Sequence, residues 1–180
     1  MGAHGAGDAA SPEAARTPLG PGERFESFYQ REYPGLVRLA HVLSGSRWAA
    51  EDIAQEALLG AYRDWGRIAN PRGWTRRAVA SLSTSLLRRT QVEARAVARL
   101  LLGQRPRLGQ LPGEHAMFWE AVRSLPRRQA QVVALYYLED CPVKEIAETL
   151  GCAEGTVRAT LHQARSRLHR RLRLPEEEPR

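Results

Sequence analysis

Residues 143–173 read VKEIAETLGCAEGTVRATLHQARSRLHRRLR, and they predict two helices broken at Gly151. In the first helix Ile146, Ala147 and Leu150 share a face. In the second, Val157, Leu161, Ala164, Leu168 and Leu172 recur at intervals of four, three, four and four, which keeps one stripe turned to a core. The opposite face carries Arg158, Arg165, Arg167, Arg170, Arg171 and Arg173, with no acid between Val157 and Leu174. A short helix, a glycine turn and a long arginine-laden helix is the layout of a helix-turn-helix reader, whose second helix lies in the major groove of DNA. A solvated amphipathic hairpin has the same periodicity. Turn chemistry coinciding with charge of a single sign favours nucleic acid.

Bulk composition agrees with an acidic partner. The 180 residues allow one domain or two small ones, and 43% hydrophobic residues suffice for real cores. The net charge of +7 suits an acidic polymer or surface. Lys144 is the only lysine among 27 basic residues; such arginine excess can reflect a GC-rich genome as easily as phosphate binding, so position matters more than number. No run of about eighteen apolar residues exists to span a membrane. Residues 1–22, rich in Gly, Ala and Pro, lack a signal-peptide core and read as a disordered leader. Cys141 and Cys152 are too few for a disulfide framework or zinc site, and the histidines have no metal-ligand spacing. No metal, cofactor or catalytic group is expected, and the location is expected to be cytoplasmic.

Helical periodicity runs from Phe25 to about Arg89. Phe25, Phe28, Tyr29, Leu36, Leu39, Ala40 and Leu43 form one stripe, with a kink or break expected at Pro34. After a loop at 44–46, a helix from about Trp48 should turn Ile53, Ala54, Ala57, Leu58, Ala61, Tyr62 and Trp65 inward. Residues 66–72 read as a loop, and Pro71 suits the start of a third helix burying Trp74, Ala78, Val79, Leu82 and Leu86. Residues 91–102 are compatible with helix, but GQRPRLGQLPG after them looks like a linker. Helix resumes from about Glu114, with Phe118, Val122 and Leu125 followed, after a break at Pro126, by Val132, Val133, Leu135, Tyr136 and Leu138. The reading is all-α: two small helical domains joined by a flexible linker.

Charge separates along this plan. Between Pro71 and Leu108 stand nine arginines and one acid, Glu93, so nucleic acid would be gripped at two places. Trp74 beside Arg76 and Arg77 suits unstacked single-stranded bases, although on an apolar stripe it suits a core as well. The second helix instead exposes Glu51, Asp52, Gln55, Glu56 and Asp64. Acids in a first turn complement the helix dipole, which explains Glu51 and Asp52 better than Gln55 and Glu56. Such a face repels DNA, so it points to a protein partner.

With these residues in place, the chain resembles an extracytoplasmic-function (ECF) sigma factor of the sigma-seventy superfamily, of the short actinobacterial type with regions two and four. FESFYQREYPGLVRLAHVLSG resembles the opening of region two, AEDIAQEALLGAYRDW its polymerase-binding helix, and NPRGWTRRAVASLSTSLLRR the helix that melts and reads the minus-ten element. LPRRQAQVVALYYLEDCPVKEIAETLGCAEGTVRATLHQARSRL resembles region four, which reads the minus-thirty-five element. The resemblance implies a leader at 1–22, region two at 23–90, a linker at 91–113, region four at 114–174 and an acidic tail at 175–180. It implies that Asp52, Gln55 and Glu56 bind the clamp helices of the β′ subunit of core RNA polymerase. Arg72, Trp74, Arg76, Arg77 and Ser81 would meet the melted non-template strand, with residues 66–71 capturing a flipped base. Thr156, Arg158, Thr160 and His162 would reach base edges of double-stranded promoter DNA, and Arg165 and Arg167 its phosphates. An anti-sigma factor is the further partner implied, and membrane insertion is not.

The chain departs from the family pattern at several positions. Ser81 stands where asparagine is usual, Ala153 where a serine caps the recognition helix, and Ala159 and Thr160 where serine and arginine are frequent. Alanine at a cap forgoes about 1 kcal/mol. The competing reading is a stand-alone helix-turn-helix regulator, in which the N-terminal helices dimerise or sense; it gives the acidic face no task.

Overall fold

The computed structural model describes residues 24–101 and 115–172, with the side chains of 93–101 outside that description. The expectations for the leader, for the linker beyond Leu101, for Arg173 and for the acidic tail therefore lie outside the described residues. Within them there are seven α-helices, one short 3-10 turn and no strand.

Helix α1 (Phe25–Ser44) buries Phe28, Leu36, Leu39, Ala40 and Leu43. It runs unbroken through Pro34, where a kink or break was expected. Pro34 is exposed, so the Gln30 carbonyl that loses its helical N–H partner lies on the wet side of the helix, where water can reach it. Gly45 ends it in the left-handed region (φ 73°), its N–H reaching the His41 carbonyl. Ser46 then caps α2 (Arg47–Arg63), its hydroxyl accepting from the Ala49 N–H at 3.2 Å. The buried face of α2 is alanine-rich, with Ala50, Ala54, Ala57 and Ala61 beside Ile53 and Leu58, so it packs close to α1.

Tyr62 does not turn inward as expected; it is 59% exposed at the end of α2, its ring 5.0 Å from Phe25. Helix α2 stops at Arg63, and Trp65, in the 3-10 turn Trp65–Arg67, swings back half-buried onto Phe25 and Phe28 at 5.1 and 4.9 Å. The Asn70 side chain accepts from the Gly73 N–H at 2.9 Å and starts α3 (Pro71–Leu101). That helix continues through the first part of the expected linker.

The buried set on α3 differs from the predicted stripe. Val79 is buried, but Ala78, Leu82 and Leu86 are half-buried and Trp74 is 37% exposed. Thr75, Arg76, Ala80, Ser83, Thr84 and Leu87 are buried instead. The cause is a second packing face. One side of α3 meets α1 and α2, and another meets α5 (Arg127–Tyr137) and α6 (Val143–Leu150). Two of the polar residues find partners there, Arg76 in Glu139 and Thr84 in Gln131. Thr75 and Thr84 also return their hydroxyls to the carbonyls of Pro71 and Ala80.

The remaining helices form the second unit. Helix α4 (Ala116–Arg123) and α5 meet at Pro126, the expected break. Val132, Val133 and Leu135 are fully buried. Between α5 and α6, Asp140 takes a left-handed backbone (φ 48°), tolerated better by Asp than by most residues. Gly151 (φ 63°) closes α6 with a paired amide pattern, Gly151 N–H to Glu148 and Cys152 N–H to Ala147. Helix α7 (Glu154–Leu172) buries Val157, Leu161, Ala164 and Leu168, as the spacing predicted, and leaves Leu172, the last of that stripe, half-buried. One apolar cluster runs from Phe28 through Leu43, Val79 and Val122 to Val133 and Leu168, so the two units pack together rather than standing apart.

Candidate protein and nucleic-acid interfaces

Burying the alanine face of α2 leaves its opposite face in water. Trp48, Asp52, Gln55, Leu59 and Tyr62 follow at intervals of four, three, four and three, all exposed, a single stripe of one helix. Trp48 is 92% exposed and Leu59 50%. Asp52, Gln55 and Glu56 line an open groove of about 660 Å³ with Phe25, Tyr29, Leu58, Leu59 and Tyr62. Apolar anchors flanked by carboxylates suit docking of a basic amphipathic helix. The acids of this face are legible in the sequence but its apolar half is not, because the helical periodicity turns Tyr62 toward the core. Leu59, one step off the buried alanine stripe, was the available signal.

On α7 the structure leaves Thr156, Arg158, His162, Arg165 and Arg167 exposed and Thr160 half-buried. Arg158, His162 and Arg165 lie to one side of the buried stripe of α7 and Thr156, Thr160 and Arg167 to the other, with α5 and α6 packed against the stripe itself. Thr160 donates to the Thr156 carbonyl at 2.7 Å, and Arg158 reaches the Glu154 carboxylate at 2.7 Å. Ala153 precedes the helix, its carbonyl accepting from Thr156 and Val157. Arg165 lies over the Tyr136 and Tyr137 rings at 5.5 and 5.7 Å and donates to the Tyr137 hydroxyl at 2.8 Å. That hydrogen bond, outweighing partial burial, raises the Arg165 pKa and fixes its direction. Arg167 donates to Gln129 Oε1 at 3.2 Å.

The α3 candidates are placed less uniformly. Trp74 lies over Gly60; a Cβ on that glycine would come within 2.8 Å of the ring, so only glycine permits this close approach. Trp74 is thus both a packing residue and a partly exposed ring. Arg77 is exposed, and Arg72 is half-buried 3.7 Å from Glu32. Arg76 is only 4% exposed. Its guanidinium meets Glu139 Oε2 at 2.7 and 2.9 Å and Glu32 Oε2 at 2.9 Å. Burial alone would lower its pKa, but Glu139 and then Glu32 outweigh that, and Arg76 sits above its usual value. Ser81 Oγ accepts from Arg127 at 2.6 Å. In this arrangement Arg76 is buried against Glu139 and Glu32 rather than exposed, while Ser81 is half-buried and accepts from Arg127 through an exposed hydrogen bond.

Glu32, Glu139, Arg127 and Gln131, which hold α3 in place, were not singled out from sequence. The signal lay in the small polar run Arg76, Ala80, Ser83, Thr84 and Leu87, a second helical stripe beside the apolar one. Another buried cation, Arg123, donates to the Val42 carbonyl at 3.3 Å, at the C-terminal end of α1. Burial lowers its pKa, with Glu120 opposing. Its position there complements the negative end of the α1 dipole. Among the described residues no group of three or more His, Cys, Asp or Glu could hold a metal, and no helix is long and apolar enough to cross a membrane.

Residues 28–92 match the family model of Sigma-70 region 2, and residues 115–168 that of Sigma-70 region 4. The chain is 30% identical over 151 residues to the ECF RNA polymerase sigma factor SigM of Mycobacterium tuberculosis, covering 82% of this chain and 76% of that one. It is 28% identical over 151 residues to the RNA polymerase sigma-E factor of Streptomyces avermitilis, covering 82% and 84%. The fold is similar to that of the sigma factor RpoE in complex with the anti-sigma factor NepR from Bartonella quintana, with TM-score 0.65, 21% identity and 84% and 98% coverage. It is also similar to a structure of CnrH in complex with the cytosolic domain of CnrY, with TM-score 0.61, 18% identity and 83% and 87% coverage.

Proposed function

For this chain, which belongs to the ECF family of RNA polymerase sigma factors, we propose a division of labour among three surfaces. The α2 stripe holds core polymerase through the β′ clamp helices. Helix α3, with the loop before it, opens and reads the minus-ten DNA. Helix α7 reads the minus-thirty-five element as a duplex. The observation that carries this reading is the separation of charge: an acidic, apolar-anchored α2 face and an arginine-rich α7 face on different parts of one fold.

The chemistry follows from the side chains. Trp48, Leu59 and Tyr62 supply area for a partner helix, while Asp52, Gln55 and Glu56 select a basic one and repel nucleic acid. On α7, Thr156, Arg158, Thr160 and His162 stand in the N-terminal turns that enter a major groove. Arg165, braced by two tyrosines, is a phosphate holder. Melted bases would find Trp74 half-exposed beside Arg77. Domain limits at 23–90 and 114–174 accompany this reading, and an anti-sigma partner is included because the similar RpoE was solved with one.

The stand-alone regulator reading predicts no use for the α2 stripe. Asp52→Ala with Gln55→Ala should abolish co-purification with core polymerase and run-off transcription, while circular dichroism stays unchanged. Retention of polymerase by this double variant would refute the assignment of that face.

A further inference from the structure

The C-terminal end of α7 meets the turn between α4 and α5 in an open cleft of about 750 Å³, lined by Ser124, Leu125, Pro126, Arg167, Arg170 and Arg171. We infer that this cleft is the docking site of the chain's own acidic tail, through Glu176, Glu177 and Glu178. The consequence for DNA, competition with duplex phosphates, rests on the reading of α7 as the upstream reader. Spacings of three and four put the three arginines on one side of the helix, and all three are exposed. Among the described residues no carboxylate pairs with any of them. Arg167 donates to Gln129 Oε1 at 3.2 Å and Arg170 to the Ser166 carbonyl at 3.3 Å, both neutral acceptors. Earlier on the same helix, Arg158 has Glu154 at 2.7 Å.

The tail carries the missing charge. No acid stands between Val157 and Leu174, and then three glutamates follow in a row. Pro175 disfavours helical backbone at Leu174, so the sequence steers the chain off the α7 axis before the acids begin. Acids just past a helix C-terminus face the negative end of its dipole and are disfavoured unless cations intervene. Reach is sufficient. Glu177 stands five residues beyond Leu172, up to about 17 Å of extended chain, while Arg167 lies only about 7.5 Å back along the helix. A second copy of the chain has the same charges, but a short tether holds the chain's own acids at about millimolar effective concentration. Docked, the tail neutralises arginines that grip phosphates of any sequence, and leaves Arg158 and His162 uncovered on the other side of α7. Non-specific duplex binding is therefore weakened more than base reading.

The test uses the full chain in four forms: wild type, Glu176→Gln with Glu177→Gln and Glu178→Gln, Arg170→Ala with Arg171→Ala, and both sets combined. Amide NMR spectra read docking at Ser124 and Leu125. Fluorescence anisotropy reads binding of a random-sequence duplex at low salt. Neutralising the acids is expected to shift both amides and to tighten duplex binding at least about fivefold. In the arginine-deficient background the amides should stay put and binding should change less than about twofold. Added salt should move the wild-type amides toward their positions in the glutamine variant. Amides that ignore neutralisation would overturn the docking, even if they respond to added inorganic phosphate, which would mark a site for small anions. Equal tightening in both backgrounds would overturn it too, since diffuse charge alone does that. So would amide shifts that grow with protein concentration, which would make a second copy the source of the acids. Should no form bind duplex, the assignment of α7 falls, while the amide spectra still decide the docking.

Discussion

Replacing Arg76 by alanine leaves two carboxylates in the interior with their main partner gone. Glu139 is 4% exposed at its side chain and Glu32 is 7% exposed. Removing one member of a buried ion pair costs about 3–5 kcal/mol, mostly as the penalty of the charge left behind. The neighbours decide where in that range Arg76 falls. Glu32 keeps Arg31 at 3.1 Å and Arg72 at 3.7 Å, so it is partly compensated. Glu139 keeps only Arg38 at 4.0 Å, itself 61% exposed and well screened. A loss of about 3 kcal/mol is therefore expected, or a fall in Tm of about 6–12 °C at this size. Urea unfolding followed by circular dichroism at pH 7 measures it. The pH dependence supplies a second reading. Protonation removes the unpaired charge, so the folded variant takes up protons more readily than its unfolded chain. Its stability, relative to wild type, should then rise as pH falls from 7 toward 5. A loss below about 1 kcal/mol, or a deficit indifferent to pH, would refute the account of Arg76 as a buried charge centre.

Two further outcomes follow from other parts of the structure. The Cys141 thiol is 3% exposed and pushed up to about 12, chiefly by burial and then by Glu145. At pH 8 a thiol-disulfide reagent should titrate Cys152 quickly and Cys141 only after denaturant is added; two fast thiols in the native chain would contradict that burial. Arg158→Ala should reduce discrimination among upstream duplexes, whereas Arg170→Ala should weaken all of them alike and lower the salt dependence of binding. Equal losses in both respects would sink the division between base readers and phosphate holders.

Helix-turn-helix periodicity was legible because it is local. Val157, Leu161, Ala164 and Leu168 need only face one way, and Gly151 needs only to permit a positive φ. The acids of α2 were legible for the same reason, since alternation of alanine and carboxylate fixes which side is wet. Helix α3 was not legible to the same degree. Its predicted stripe assumed one buried face, and Arg76 read as a surface cation. The helix has two buried faces, and the partners that bury the second are far away in sequence. Glu139 lies 63 residues beyond Arg76, Arg127 46 beyond Ser81 and Gln131 47 beyond Thr84. No pattern within α3 names them. Tyr62 failed by a smaller margin, because the point where α2 stops decides whether a residue at its edge goes in or out.

Sequence by itself determined the class of the molecule: helices from spacing, one helix with an arginine-rich face, and another whose wet face carries acids that would repel nucleic acid. Tertiary structure decided which of those surfaces is open. Whether a lone arginine on α3 meets water, DNA or a carboxylate depends on a turn more than sixty residues away. A charge has a large free energy in water, in a buried ion pair or on a phosphate, and only the packing of the two units selects among these. Arg158 and Arg76 are the same residue type in the sequence; the fold leaves one in water and buries the other between two carboxylates.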